Sequence, residues 1–189
     1  MEIIQVFDFD KTIYSGDSTI DFYIFCLKKN PFLIRYLPIQ FYGMILYLLK
    51  IKEKEYFKEK YFSFLKGVKN VEELVEKFWK KNKNKIDNTL LKNKENKVII
   101  SASPEFLLEG IVKEIGAKEL IATKVDKKNG KFLSKNCYGE EKVNRLKELY
   151  PNCKIQEFYS DSESDKYLAE LAEQSFKVKK DKVEKWLVE

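Results

Sequence analysis

Hydrophobic residues in this chain gather in short consecutive runs, and most of these runs stop at small or acidic residues. Residues 3–7 (Ile-Ile-Gln-Val-Phe) end at two aspartates. Residues 98–100 end at Ser101, residues 155–159 end at Ser160-Asp161, and residues 120–125 and 175–178 add two more runs. Runs of this length without strict alternation predict strands buried on both faces of a parallel sheet. Asn129-Gly130 predicts a turn that folds residues 131–133 back as a hairpin. Helical patterns separate the strands. Ser103 at the N-cap and Pro104 at the first helical position start one that runs to about residue 115, where Gly116 stops it. Residues 140–149 carry Val143, Leu146 and Leu149 on one stripe, with Pro151 beyond, and residues 164–171 form a third helix. Alternating strands and helices predict a doubly wound, mostly parallel α/β sheet.

Residues 15–92 break this alternation. They contain no convincing strand and read as helices at about 18–28, 31–50, 53–66 and 71–83. The expected organisation is a catalytic core of residues 1–14 and 93–189, with residues 15–92 as an inserted helical cap. Within the insertion, residues 31–51 are strongly apolar, interrupted by Arg35, Pro38, Gln40 and Gly43. The expectation is a buried helix packed on its neighbours and over the site. A helix lying on a membrane surface is the alternative. Arg35 and Pro38 argue against a span, which needs about 20 mostly apolar residues.

Composition narrows the chemistry. A length of 189 residues suits one globular domain with an insertion. The formal charge is +6, but Arg35 and Arg145 are the only arginines, and the lysines are spread along the whole chain. Nucleic-acid recognition leans on arginine for bidentate contacts, so no nucleic-acid partner is expected. Histidine is absent, and Cys26, Cys137 and Cys153 are far apart in sequence. That excludes His-based triads and a tetrahedral Cys/His zinc site, and it predicts free thiols. Carboxylates, lysines and a hard metal must carry any catalysis. Residues 1–7 lack a basic, cleavable leader, which predicts a cytoplasmic protein.

Such residues sit where the strands end, the edge at which open α/β sheets bind ligands. Asp8 and Asp10, two apart, face the same way. Crowded carboxylates call for a cation or a shared proton, and Mg²⁺ accepts a few carboxylates together with water and phosphate. One aspartate can attack phosphorus while the other serves as acid and base. Ser101 and Ala102 precede a helix start, where backbone N–H groups and a hydroxyl suit an anionic oxygen. Lys142 lies in the first turn of a helix, where the dipole does not favour a cation, which points to a role on a phosphoryl group. Asp161 can complete a metal site and Asp165 can orient it.

With these residues in order, the sequence resembles the haloacid dehalogenase-like superfamily, in its phosphoserine-phosphatase-like branch. Asp8-Phe9-Asp10-Lys11-Thr12 is similar to the first motif and Ser101-Ala102-Ser103 to the second. Lys142 matches the third, and Asp161-Ser162-Glu163-Ser164-Asp165 the fourth. The resemblance implies a Rossmann-like core with a helical cap and an Mg²⁺-dependent phosphatase working through an aspartyl-phosphate. In it Asp8 is nucleophile and metal ligand, and Asp10 is acid/base and gives its backbone carbonyl to the metal. Ser101, Ala102 and Lys142 hold the phosphoryl group, Asp161 binds the metal and Asp165 supports it. Lys11 stands where the family often has glycine or another small residue. The cap lacks the acidic and arginine positions that grip phosphoserine. A small-molecule phosphomonoester is therefore the expected substrate. A lipid phosphate at the membrane surface, or a non-catalytic phosphate binder, is the alternative.

Overall fold

The computed structural model describes residues 2–180 and 182–187. Six strands form one sheet in the order β3-β2-β1-β4-β5-β6. They are β1 (Glu2–Phe7), β2 (Lys97–Pro104), β3 (Glu119–Thr123), β4 (Cys153–Ser160), β5 (Ala172–Lys179) and β6 (Lys182–Lys185). All pairings are parallel except the last, in which β6 runs antiparallel to β5. The chain builds outward from β1 to β3, then returns across the sheet to β4. The switch point therefore lies between β1 and β4, and Phe7 stands opposite both Ile99 and Tyr159. This register brings the carboxyl ends of β1, β2 and β4 together.

Side-chain alternation divides the core into two layers. On one face Ile4, Val6, Val98, Ile100 and Phe158 pack against Val143 and Leu146 of α7 (Glu140–Leu149) and Leu168 of α8 (Lys166–Ala169). On the other, Phe7, Ile99 and Tyr159 pack with Leu107, Leu108 and Ile111 of α6 (Glu105–Glu114). This second layer continues without a break into the insertion. Phe22 and Cys26 of α1 (Ser18–Lys29) and Phe78 and Trp79 of α4 (Val71–Asn82) belong to the same cluster. Trp79 is a joint: its ring meets Phe9 and Tyr14 edge-on at 5.9 and 5.5 Å, and its Nε1 donates to the Leu107 carbonyl at 2.6 Å. The loop that carries the first two aspartates is thus clamped between sheet and insertion.

Several expected elements differ in detail. The helix anticipated at 31–50 is a 3-10 segment, Pro31–Tyr36, followed by α2 (Leu37–Leu48), because Pro38 restarts the helix at its first turn. The one anticipated at 53–66 splits into α3 (Lys54–Tyr61) and a 3-10 segment, Phe62–Gly67. A short α5 (Asn88–Leu91) precedes β2. Ser103 is not the cap of α6. Strand β2 continues to Pro104, which pairs with Thr123 and itself occupies the N-cap. The hairpin after β3 survives as a single antiparallel bridge, Val125 to Phe132. Strand β6 escapes the apolar pattern because all four of its residues are exposed.

The largest correction concerns α2, expected to be buried. Only Gln40 and Gly43 are buried in it; Leu37, Met44 and Leu46 are half-buried, and Ile39, Phe41, Tyr42, Ile45, Tyr47 and Leu48 are exposed. It packs on α3 through Gly43, where an added Cβ would come within 2.6 Å of Lys60 Cβ. Among the described residues, no helix is long and apolar enough to cross a membrane.

The Trp79 joint makes a direct prediction. Trp79→Phe removes one buried hydrogen bond and part of a packed ring, and should lower stability by about 2 kcal/mol. A urea titration would show this as a lower midpoint at unchanged slope. A loss below about 0.5 kcal/mol would mean that α4 is not held to α6 in this way.

Candidate active site

The loop after β1 is built by one carbonyl. The Phe9 oxygen accepts the N–H groups of Ile13 and Tyr14 at 3.0 and 2.9 Å, and Lys11 N–H closes the turn onto Gly16 O at 2.9 Å. Lys11 sits at φ +57°, a left-handed conformation that glycine adopts without cost. That explains why a small residue suits this position, and it leaves the Lys11 chain on the rim of the cavity.

Asp8, Asp10, Ser101, Ala102, Lys142, Asp161 and Asp165, the residues singled out from the sequence, all line one cavity of about 340 Å³. A larger depression of about 640 Å³ lies beside edge strand β3, between α6 and α7. It holds none of these groups, so size is not the criterion here. Lys142 is the centre of the smaller cavity. Its ammonium donates to Asp8 Oδ1 and to Asp165 Oδ2, each at 2.8 Å, and Ser160 Oγ adds a bond to Asp165 Oδ2 at 2.7 Å. Gly139 makes this reach possible: it caps α7 at φ +60°, ψ −131°, a conformation closed to residues with a Cβ. Burial disfavours the charged lysine, but Asp8 and Asp165 outweigh it and hold its pKa above the ordinary value.

Burial also acts on the carboxylates. It pushes Asp8 up to about 7 against the pull of Lys142. Burial and the neighbouring Asp17 push Asp10 up to about 6. Burial raises Asp161 as well, opposed mainly by Lys11. Asp10 is held at both oxygens: Ser18 N–H donates to Oδ1 at 2.5 Å, and the Ser103 hydroxyl donates to Oδ2. Thr12 links two motifs, accepting Asp161 N–H at 3.0 Å and pointing its hydroxyl at Asp8 Oδ2 at 3.4 Å.

Three contributors were not singled out from the sequence. Ser103 holds Asp10, although the sequence pattern, which places it in the second motif, reads it as a helix cap. Thr12 ties Asp161 to Asp8. Lys58 reaches over from α3 to the Ala102 carbonyl and Asn136 Oδ1, both at 2.9 Å. Burial and Lys54 pull Lys58 down to about 8. Nothing local distinguishes Lys58 from the many other lysines.

A family model for haloacid dehalogenase-like hydrolases matches residues 6–170. The chain belongs to this family. Among solved structures it is similar to a protein of unknown function from Bordetella pertussis Tohama I, with 19% identity, 93% of this chain and 89% of that chain covered, and a TM-score of 0.77. It is also similar to a phosphoserine phosphohydrolase-like protein from Francisella tularensis, with 18% identity, 93% and 86% covered and a TM-score of 0.55. A phosphoserine phosphatase in its apo form aligns at 16% identity over 92% and 84%, with a TM-score of 0.54. At these identities the likeness shows the fold. Among curated proteins, none matches the chain.

Haloacid dehalogenase-like phosphatases generally use Mg²⁺. Among the described residues, no three His, Cys, Asp or Glu side chains form a metal-holding group. A site of two carboxylates completed by a carbonyl, water and phosphate does not need one. Asp8 and Asp161 could supply those two carboxylates. The Asp10 side chain holds Ser18 N–H and the Ser103 hydroxyl, so Asp10 could enter through its backbone carbonyl. Asp165 Oδ1 is buried without a partner, and Asp8 and Asp161 titrate high, all of which mark a space short of positive charge. A divalent cation fits that space.

A carboxyl that titrates higher in the folded protein than in the unfolded chain takes up protons on folding. Its contribution is complete below the unfolded pKa and is lost as pH rises through the folded one. For Asp10 the rise from 3.8 to about 6 corresponds to about 3 kcal/mol. In the presence of a chelator, Asp10→Asn should therefore gain stability relative to wild type as pH rises from about 4 to about 7. Denaturant titrations across that range would measure it. A constant difference between the two proteins would show that Asp10 is not desolvated.

Proposed function

We propose that the protein is an Mg²⁺-dependent phosphatase that moves the phosphoryl group of a small-molecule phosphomonoester first to Asp8 and then to water. What carries this reading is the pairing of buried Asp8 with Lys142 in the same cavity as a second carboxyl, Asp10, that is held at both oxygens and titrates near neutrality.

Asp8 is the nucleophile, and Lys142 fixes its carboxylate and faces the incoming phosphoryl oxygens. Two of the ammonium protons are engaged by Asp8 and Asp165, leaving one for the substrate. Ser101 and the backbone at Ala102 complete the phosphoryl cradle at the end of β2. With its pKa raised to about 6, Asp10 retains a protonated fraction near neutral pH and can give that proton to the leaving oxygen. In the second half-reaction the Asp10 carboxylate takes a proton from the water that attacks the aspartyl-phosphate. Ser18 and Ser103 keep it aimed throughout. Mg²⁺ bound by Asp8, Asp161 and the Asp10 carbonyl would supply the charge that ionises Asp8 and neutralises the phosphoryl oxygens. Asp165 orients Lys142 from behind. The helical insertion acts as the cap: Lys54, Phe57, Lys58 and Tyr61 of α3 wall the cavity. A volume of about 340 Å³ suits a compact phosphomonoester.

The test is phosphate release from an aryl phosphate with Mg²⁺ and with chelator. Activity should require the metal. It should vanish in Asp8→Asn and fall by about 10²- to 10⁴-fold in Asp10→Asn. Equal rates for wild type and Asp8→Asn would reject Asp8 as the nucleophile.

A further inference from the structure

Helix α2 is inverted relative to an ordinary surface helix. Its two buried residues are Gln40 and Gly43. Gln40 is the anchor: it accepts the Tyr23 hydroxyl at 2.8 Å and donates to the Tyr61 carbonyl at 2.8 Å. The opposite face carries Phe41, Ile45, Leu48 and Leu49, spaced i, i+4, i+7 and i+8, so they share one side. All four are exposed, and Phe32 and Ile34 of the preceding 3-10 segment continue the patch, Phe32 at 79%. A soluble surface seldom keeps so many large apolar side chains together in water. The polar Gln40 faces the protein while Phe41, Ile45, Leu48 and Leu49 face out, so this side is shaped for a partner.

Charge says which partner. No aspartate or glutamate occurs between residues 22 and 52, whereas Lys28, Lys29, Arg35, Lys50 and Lys52 are all there and exposed. Among the described residues, none of these five makes an ion pair. A second copy of this chain would bring that basic rim against itself, which opposes self-association. Apolar side chains ringed by lysines that can extend to headgroup level match an anionic bilayer surface. A helix of 12 residues is about 18 Å long, too short to span, so it would lie in the plane of the interface.

We infer that the 3-10 segment Pro31–Tyr36 and α2 form a docking surface for anionic lipid membranes, with the apolar face inserted and the flanking lysines at the headgroups. This does not depend on the catalytic reading. It places the cavity one helix from the bilayer, because α3 both supports α2 and walls the site.

Flotation of the purified protein with vesicles of phosphatidylglycerol and phosphatidylcholine, against phosphatidylcholine alone, tests it. The protein should float with the anionic vesicles, less so at high salt. The double substitution Phe41→Glu with Leu48→Glu should weaken partition at least about tenfold, with an unchanged thermal midpoint to show that the fold is intact. Absence of flotation with anionic vesicles, or equal flotation of the variant, would overturn the inference. So would self-association in solution that the double substitution abolishes, since a second copy would then be the occupant.

Discussion

Everything in the cavity is arranged around one buried ammonium. Lys142 is almost wholly withdrawn from water, and its charge is sustained by Asp8 on one side and Asp165 on the other. Such burial costs several kcal/mol per ion unless each charge has a partner in good geometry. The fold meets that condition with backbone devices: the glycine cap of α7, the parallel register that aligns the ends of β1 and β4, and the Ser160 hydroxyl behind Asp165. Five aspartates (Asp8, Asp10, Asp17, Asp161 and Asp165) and four lysines (Lys11, Lys54, Lys58 and Lys142) line the space, a small excess of acid. Burial raises Asp8, Asp10 and Asp161, and a divalent cation and a phosphoryl group would be complementary occupants: the first would supply charge, the second would take up the free lysine proton.

The insertion is part of this arrangement, not an ornament on it. It shares the core beneath the sheet through Phe22, Phe78 and Trp79, sends Ser18 N–H to Asp10, and sends Lys58 across the cavity to the end of β2. α1 and α4 are therefore fixed to the sheet, while α2 and α3 form the outer pair. The outer pair combines two surfaces on two sides: a wall of lysines and aromatic rings for the cavity and an apolar face toward solvent.

The parallel strands are legible in the sequence because burial on both faces demands consecutive apolar residues, and the acidic or small residues that follow them mark the site. The convergence of positions 8, 10, 101 and 161 is legible for the same reason, since strand ends in such a sheet meet at one edge; Lys142 reaches that edge from α7 and Asp165 from the turn after β4. What local pattern cannot reveal depends on distant partners. Ser103-Pro104 looks like a helix start, but pairing of Pro104 with Thr123 extends the strand and frees the Ser103 hydroxyl for Asp10. Strand β6 is defined by hydrogen bonds to β5, with no apolar stripe of its own. The apolar content of residues 31–51 suggests burial, yet within α2 the buried positions are Gln40 and Gly43, three apart, and Leu33 is the buried side chain of the 3-10 segment before it. Which side of a helix is inside is a tertiary fact.

The account rests on Asp8 as the residue that accepts the phosphoryl group. The most direct measurement is acid quenching during turnover of a phosphomonoester, followed by peptide mass analysis. One phosphoryl group is predicted on the peptide containing Asp8, and none on that peptide in Asp8→Asn. A phosphoryl group on any other residue, or labelling that survives Asp8→Asn, would contradict it.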